Sequence, residues 1–478
     1  MQEKIKSLLK KGILLSPDAL DTETNLLEER LAQTPEKPLV FENKFLSSSL
    51  PIKKDQRAKK VELIEIYEDK STKTTIKDFV NLYNTRFLLL QSILRQRQEL
   101  QAATTIRKAQ AAQNNEQITT IAMVVDIKVT KNNNLFFTLE DQTGQIKAVV
   151  NKSNKELFEL AKETTNDEVI GISGVKSDSI FFINSITIPD IPLTKEIKKS
   201  PLDEAAIFIS DLHLGSKAFL KEPFEKFIDW LCGKAGTESQ KETVKKIKYL
   251  FILGDVVDGI GVYPNQEKDL EIKDIFEQYS IFSGHIKKIP KHINIIISPG
   301  NHDSLRIAEP QPPLPKELTP ELYNLENVYF VSNPSIIKIG TTANFSGFEV
   351  LIYHGFSFPF YADTIESIRL KGGLDNTENI MTYLLKKRHL APTHGSSQYQ
   401  LGYPKDPLVI TKVPDFFVSG HIHKATVKNY KNVTLINSSC WIAQTEYQEN
   451  RGIVPHPARV IYIDLKTREP KILNFSEK

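Results

Sequence analysis

Two hydrophobic periods alternate along the chain. Phe79, Tyr83, Phe87, Leu90 and Leu94 return at steps of three and four, the spacing of one helical face. A long helix is therefore predicted from Ile76 to about Ala112, although its face turns polar after Leu94, with Arg95, Arg97 and Arg107. A shorter amphipathic run, Ile5, Leu8, Leu9, Ile13 and Leu14, predicts a small helical unit over 1–45. Residues 46–75 read as a linker. Pro51 and the run Lys53-Lys54-Asp-Gln-Arg57-Ala-Lys59-Lys60 fit a solvated segment, with contact to a phosphate backbone as the alternative.

From Ile118 the period drops to two. Ile121 to Val129, Leu135 to Leu139 and Ile146 to Val150 are predicted strands, with turns at Lys131–Asn134 and Asp141–Gly144. A short helix (Lys155 to Lys162) and strands from Glu168 to Val175 and Ile180 to Ile188 follow. That order is the order of an OB-fold barrel, placed at 117–189 and entered by the helix of 76–116. Phe136, Phe137 and Lys147 offer a stacking surface for single-stranded nucleic acid. Alternation requires one of the two phenylalanines to face the barrel interior instead.

Prolines 189, 192 and 201 mark 190–203 as a second linker. In 204–478 the apolar runs become continuous rather than alternating, as in strands buried on both faces and covered by helices. The predicted fold class is multidomain α+β: a helical unit, an OB-fold barrel, and a β-sandwich flanked by helices.

A net charge of +3 leaves only a weak overall field, so contact with nucleic acid must come from local patches. Cys232 and Cys440 form no disulfide framework and no paired metal motif, which fits a reducing cytosol. No apolar run reaches the roughly 18 residues that span a bilayer, and no signal-peptide core is evident. A cytoplasmic, nucleoid-associated protein without membrane contact is expected.

Five of the apolar runs end on metal-ligand residue types: Phe208-Ile-Ser-Asp211-Leu-His213, Phe251-Ile-Leu-Gly-Asp255-Val-Val-Asp258, Ile295-Ile-Ile-Ser-Pro-Gly-Asn301-His302-Asp303, Val350-Leu-Ile-Tyr-His354 and Phe416-Phe-Val-Ser-Gly-His421-Ile-His423. Each alone is weak: an isolated histidine or Gly-Asp after a strand is more often a satisfied turn. Repeated in order they point to one face, because ligands gather at strand C-terminal ends in such folds. Carboxylate, imidazole and amide oxygen without thiolate suit manganese, iron or zinc. Asp211, His213, Asp255, Asn301, His354, His421 and His423 are too many for one ion but suffice for two if one carboxylate bridges, the arrangement that activates water and clamps a phosphoryl group.

This ordered set resembles the calcineurin-like metallophosphoesterases. The resemblance implies that Asp211, His213 and His423 hold one ion, that Asn301, His354 and His421 hold the other, and that Asp255 bridges. It implies that His302 protonates the leaving oxygen or stabilises the transition state, that Asp303 orients His302, and that Asp258 supports without ligating. More narrowly, nearly the whole chain resembles the small (B-type) subunits of archaeal family-D DNA polymerases. The residues that carry this are Gly300–Arg306 with Ala308–Pro312, Arg388–Pro392 and Asn437–Thr445. Phe356-Ser-Phe-Pro-Phe-Tyr361 after His354-Gly is more aromatic than that family leads one to expect.

What the resemblance implies is manganese-dependent 3′→5′ exonucleolytic hydrolysis of DNA at single-stranded or mispaired ends, for proofreading, with the 3′ oxygen leaving. The implied partners are a large catalytic subunit, DNA and, through the complex, the sliding clamp. The alternatives are a non-catalytic replisome scaffold and a phosphodiesterase for small nucleotides. Long connections at Glu309–Pro315 and Arg388–Pro404 are expected to guide DNA, bind the large subunit or merely cover the sheet. Trp441 is expected as a buried anchor or a base-stacking platform, and His285, His292, His389, His394 and His456 as surface or packing residues.

Overall fold

A computed structural model describes residues 14–15, 40–41, 61–69, 73–450 and 452–476. Most of the expected N-terminal helical unit, and the basic run ending at Lys60, lie outside them. Within the unit Met1–Lys59, Leu14–Leu15 (β1) pairs in parallel with Val40–Phe41 (β2), so Leu14 is extended rather than helical. All that follows concerns the unit Lys60–Lys478.

Val61–Glu65 (β3), inside the expected linker, is a strand, and it pairs antiparallel at the edge of a large sheet. The helix of Ile76–Leu94 (α1) stops where its apolar face stops. The single helix expected to reach Ala112 is broken by a turn, and a second, Ile106–Ala111 (α2), starts afresh under a Thr105 side-chain cap. The break has a packing cause. Leu100 and Ile106 are fully buried, and Thr104 donates its N–H to Thr119 O at 2.9 Å, contacts a straight helix would pull away from the barrel.

The barrel is built from Gln117–Val129 (β4), Leu135–Asp141 (β5), Gly144–Val150 (β6), the helix Lys155–Lys162 (α3), Val169–Ser177 (β7) and Ile180–Thr187 (β8). It closes in the order β4-β5-β6-β8-β7. Phe137 is fully buried inside it, whereas Phe136 faces outward, half-buried. Residues 190–203 are no free linker. Ile191 is fully buried, and Lys195 and Lys198 both grip the Asp415 carboxylate, at 2.7 and 2.8 Å.

The rest is a sandwich of two six-stranded sheets. In chain order it runs Ala205–Ile209 (β9), Lys221–Leu231 (α4), Glu238–Lys246 (α5), Ile247–Leu253 (β10), Ile275–Ile286 (α6), Asn294–Ser298 (β11), Val328–Phe330 (β12), Ser335–Ile339 (β13) and Phe348–Ile352 (β14). Then come Phe358–Thr364 (α7), Glu366–Leu370 (α8), Thr377–Lys387 (α9), Phe416–Ser419 (β15), Ala425–Tyr430 (β16), Val433–Ser438 (β17), Glu446–Asn450 (α10), Arg459–Asp464 (β18) and Pro470–Asn474 (β19). One sheet has the order β12-β11-β10-β9-β18-β19, the other β16-β17-β15-β14-β13-β3.

Alternate residues of each central strand face either the core between the sheets or one outside them, as a period of two demands. Phe208, Phe251, Ile296, Val350 and Phe416 meet between the sheets. Ile207, Ile209, Leu250 and Ile297 pack outward under α4 and α6, and Leu351 and Phe417 pack under α7 and α9. Trp441 is a wholly buried anchor against Phe224 and Phe227.

Candidate metal centre

The five strand-end loops come from both sheets. β9, β10 and β11 lie in the first and β14 and β15 in the second, so the site spans the end of the sandwich. Main-chain bonds stitch the loops together. Asp211 N donates to Gly254 O at 3.0 Å, His213 N to Asp255 O at 3.0 Å, Gly420 N to His354 O at 2.9 Å and Trp441 N to Asp211 O at 2.9 Å.

The backbone is strained where the candidate ligands sit. Asp211, His213, Asp255, His421 and His423 have φ of 53°, 49°, 50°, 68° and 59°. The left-handed region costs a residue with a Cβ about 1–2 kcal/mol, and such residues collect where function holds them. Two glycines make room. A Cβ on Gly300 would lie 2.2 Å from Asp255 Oδ1. On Gly254, whose φ is +93°, it would lie 2.5 Å from His354 Nδ1.

Two groups of donors result. Asp211, His213 and His423 converge, as do Asp255, His354 and His421; a third set joins His213 and Asp255 to His302. His423 Nε2 is 3.3 Å from Asp211 Oδ1, and His354 Nε2 is 3.3 Å from Asp255 Oδ2. His213 Nε2 stands 3.9 Å from both carboxylates. Asp255, 2 % exposed, thus lies between the groups. The main-chain N–H of His421 donates to Asp211 at 2.9 Å, and that of His302 to Asp255 Oδ1 at 2.7 Å.

Two orphaned atoms test whether metal ions fit. His354 donates Nδ1–H to the Leu253 carbonyl at 2.7 Å, which turns its Nε2 toward Asp255. That nitrogen is buried without a hydrogen-bond partner, as is Asn301 Oδ1. Buried polar atoms without a partner are costly unless a cation supplies one. Charge agrees. Burial opposes a charge on His354, yet Asp255 outweighs it and pushes the imidazole up to about 10, holding a proton whose place a bound cation would take. Burial likewise opposes the charge of Asp255, which His354 and His302 nevertheless hold well below the usual carboxylate range. His421 is pushed down to about 3 by burial and by His354, so its ring is neutral and its lone pair free. The donor set fits divalent ions that take oxygen and imidazole.

Support comes from residues the sequence left ambiguous or silent. Asp258 Oδ1 accepts from His213 Nδ1 at 3.0 Å, and its main-chain carbonyl accepts from His302 Nδ1 at 2.9 Å. Buried Gln266 in turn donates to the carbonyl and the carboxylate of Asp258, at 2.9 and 3.0 Å. Gln448 Nε2 lies 2.8 Å from His423 Nδ1. Ser210 hydrogen-bonds Asp211. None of these follows a spacing rule.

Asp303 does not orient His302, contrary to expectation. Its carboxylate accepts from Gly300 N at 2.8 Å, Val256 N at 3.5 Å and the Tyr279 hydroxyl at 3.2 Å. Those bonds point it into the loop it braces, so the Asp258 carbonyl is left to hold the histidine ring. Burial, followed by repulsion from Asp255, raises Asp303 to about 7.

The two long connections beside the site are laced to each other. Glu309 N donates to Gln398 O and Gln400 N to Glu309 O, both at 2.8 Å. Buried Glu309 also accepts from Tyr353, Ser397 and Asn333, and Asn333 Oδ1 accepts from His354 N at 2.8 Å. His389 packs within the fold, bonded to Asp406 at 3.0 Å. His285 is buried against Phe224, and His394 is exposed.

Residues 206–428 match a family model for the B-type subunit of DNA polymerases alpha and epsilon, and 118–184 match one described as OB-fold nucleic acid binding domain. The chain is 38% identical to the DNA polymerase II small subunit of Methanothermobacter thermautotrophicus, over 86% of this chain and 83% of that one. It is 34% identical to that of Thermoplasma acidophilum, over 97% and 91%. With that of Pyrococcus furiosus the identity is 39% over 84% of this chain, which spans 64% of the relative.

Proposed function

The chain belongs to the family of archaeal DNA polymerase II small subunits, the family-D type, and from that premise we propose that its sandwich domain is a metal-dependent 3′→5′ exonuclease that trims mispaired primer ends. The observation that carries this reading is the pair of orphaned buried polar atoms, His354 Nε2 and Asn301 Oδ1, set among strained, acid-bearing loop tips. The two-sheet sandwich with helices outside supports assignment to the calcineurin-like metallophosphoesterases.

Asp211, His213 and His423 would hold one divalent ion, Asn301, His354 and His421 the other, and Asp255 would be shared. Manganese is the first choice, with iron or zinc as alternatives. When bound, such a pair neutralises phosphoryl oxygens and lowers the pKa of water. The remaining work falls to side chains. His302 stands at the edge of the centre, its side chain 18% exposed. With Nδ1–H donated to a carbonyl, it presents Nε2 to the substrate, where, once protonated to the imidazolium, it would hand that Nε2 proton to the departing 3′ oxygen. Asp258 fixes the rings of both His213 and His302, keeping the acid and one ligand in register.

Polymerisation belongs to a large catalytic subunit, the partner that the relatives' name implies. The closed barrel supports contact with DNA beside the site, and the sliding clamp is reached through the complex.

The test is digestion of a labelled primer–template with a mispaired 3′ end, by the full chain alone and co-expressed with its large subunit. Mononucleotides should appear with manganese and vanish with EDTA, and His302→Ala should slow release about 100-fold or more. Full-rate digestion by His302→Ala, or in EDTA, would overturn the proposal. A folded, metal-loaded chain that leaves every DNA end intact would point to the scaffold instead.

A further inference from the structure

The geometry points to Tyr263 and Phe356 as a stacking grip for unpaired 3′-terminal bases, one ring at each half of the centre. This inference rests on the exonuclease reading and adds its selectivity for frayed over paired ends. The Tyr263 ring lies 6.4 Å from that of His302, edge to face, and His302 lies 4.5 Å from His213. The Phe356 ring lies 5.8 Å from that of His421, itself 5.2 Å from His354. An otherwise polar and ionic centre is thus flanked by one aromatic ring against each donor group.

Neither ring is spent on the core. Tyr263 is 39% exposed, with Ile260 beside it at 50%, and Phe356 is half-buried. Nor is the Tyr263 loop slack. Gly259 and Gly261 turn it with φ of 76° and 74°, and Val262 N donates to Gln266 Oε1 at 2.9 Å. Through Gln266 the loop is tied to Asp258, the residue that sets His213 and His302. The Tyr263 hydroxyl is bonded to Asp269 at 3.1 Å, which orients the ring. Phe356 is held by position, one glycine beyond His354.

Exposed, pre-oriented aromatic rings bind bases irrespective of sequence, because every base has a π-face. A base at a paired end is already stacked on its neighbour and hydrogen-bonded across the duplex. Only a frayed or mispaired terminus can offer its base to these rings while its phosphodiester reaches the metal ligands.

The experiment uses the full chain and single-stranded oligonucleotides whose last two 3′ nucleotides either carry bases or are abasic. Binding is read by anisotropy in EDTA, and cleavage by kcat and KM in manganese. The wild type should favour the base-bearing end by about tenfold. Tyr263→Ala and Phe356→Ala should lose that preference, with the loss in KM rather than kcat, while Tyr263→Phe, which keeps the ring, should retain it. Equal binding of both ends by the wild type, or an undiminished preference in both alanine variants, would overturn the grip. A wild type whose preference is lost in the alanine variants but which cleaves nothing would sink the nuclease reading and leave the grip standing.

Discussion

Asp255→Asn separates the ionic role of the shared carboxylate from its structural one. Asparagine keeps an oxygen where Asp255 Oδ1 accepts from His302 N at 2.7 Å. It also places an N–H₂ where Oδ2 stands 3.3 Å from His354 Nε2, so with a neutral His354 the metal-free fold keeps both contacts. In EDTA the variant should melt within about 2 °C of the wild type. With manganese the two should part. Each site filled at 100 times its Kd contributes about 2.7 kcal/mol, roughly 5 kcal/mol for the pair. The unit Lys60–Lys478, at about 2.1 cal/mol/K per residue, has an unfolding entropy near 0.9 kcal/mol/K. The wild type should therefore rise by about 6 °C, and the variant, without the charge common to both sites, by less than about 2 °C. Differential scanning calorimetry and manganese titration calorimetry read both quantities. An Asp255→Asn chain that gains as much as the wild type from manganese would refute the assignment of Asp255 as the shared ligand.

Three further outcomes follow from neighbouring contacts. Asp258→Ala releases the ring of His213 and should weaken manganese binding about 10- to 100-fold while the metal-free chain still folds, as titration calorimetry would show. Asp406→Ala strands the fully buried Arg86, now paired at 2.7 Å, and should cost about 3–5 kcal/mol in denaturant unfolding. Burial opposes the charge of Asp406, but Arg86 and His389 outweigh it and hold the acid far below its usual range. The stabilisation from this acid is thus complete above about pH 4 and lost only as pH falls below that. Glu309 has the opposite sign: burial pushes it up to about 7, so the native state holds its proton more tightly. Its stabilisation is present below about pH 4.5 and is lost as pH rises to about 7, some 3 kcal/mol in all. Unfolding free energies at pH 5 and 8 should show that loss in the wild type and a flatter profile in Glu309→Gln; identical slopes would contradict it.

Periodicity and local motif were enough for much of the fold and for singling out strand-end side chains that the structure brings together. A short, β-branched run such as Ile295-Ile-Ile between turn residues reads as a strand covered on both faces, and alternation in 117–189 reads as a half-exposed sheet. The tips Asp-x-His, Gly-Asn-His-Asp and Gly-His-x-His stand out because their residue types share one chemistry. Where a segment's state depends on a distant partner, the local signal misled. Val61–Glu65 is a strand because β13 offers it an edge. The helix from Ile76 breaks after Leu94 because Leu100 and Ile106 must reach the barrel, and 190–203 is strapped down because Asp415 collects its lysines. The tertiary structure alone decided which acid braces and which one orients. The resemblance gave the orienting of His302 to Asp303, whereas the structure gives it to the Asp258 carbonyl. A hydrogen bond is settled within a few tenths of an ångström, by loops from two sheets that meet only after the sandwich has closed. The same closure turned five side-chain-bearing residues into the left-handed region, a strain no one-dimensional pattern encodes, because it is imposed by contacts between segments far apart in the chain.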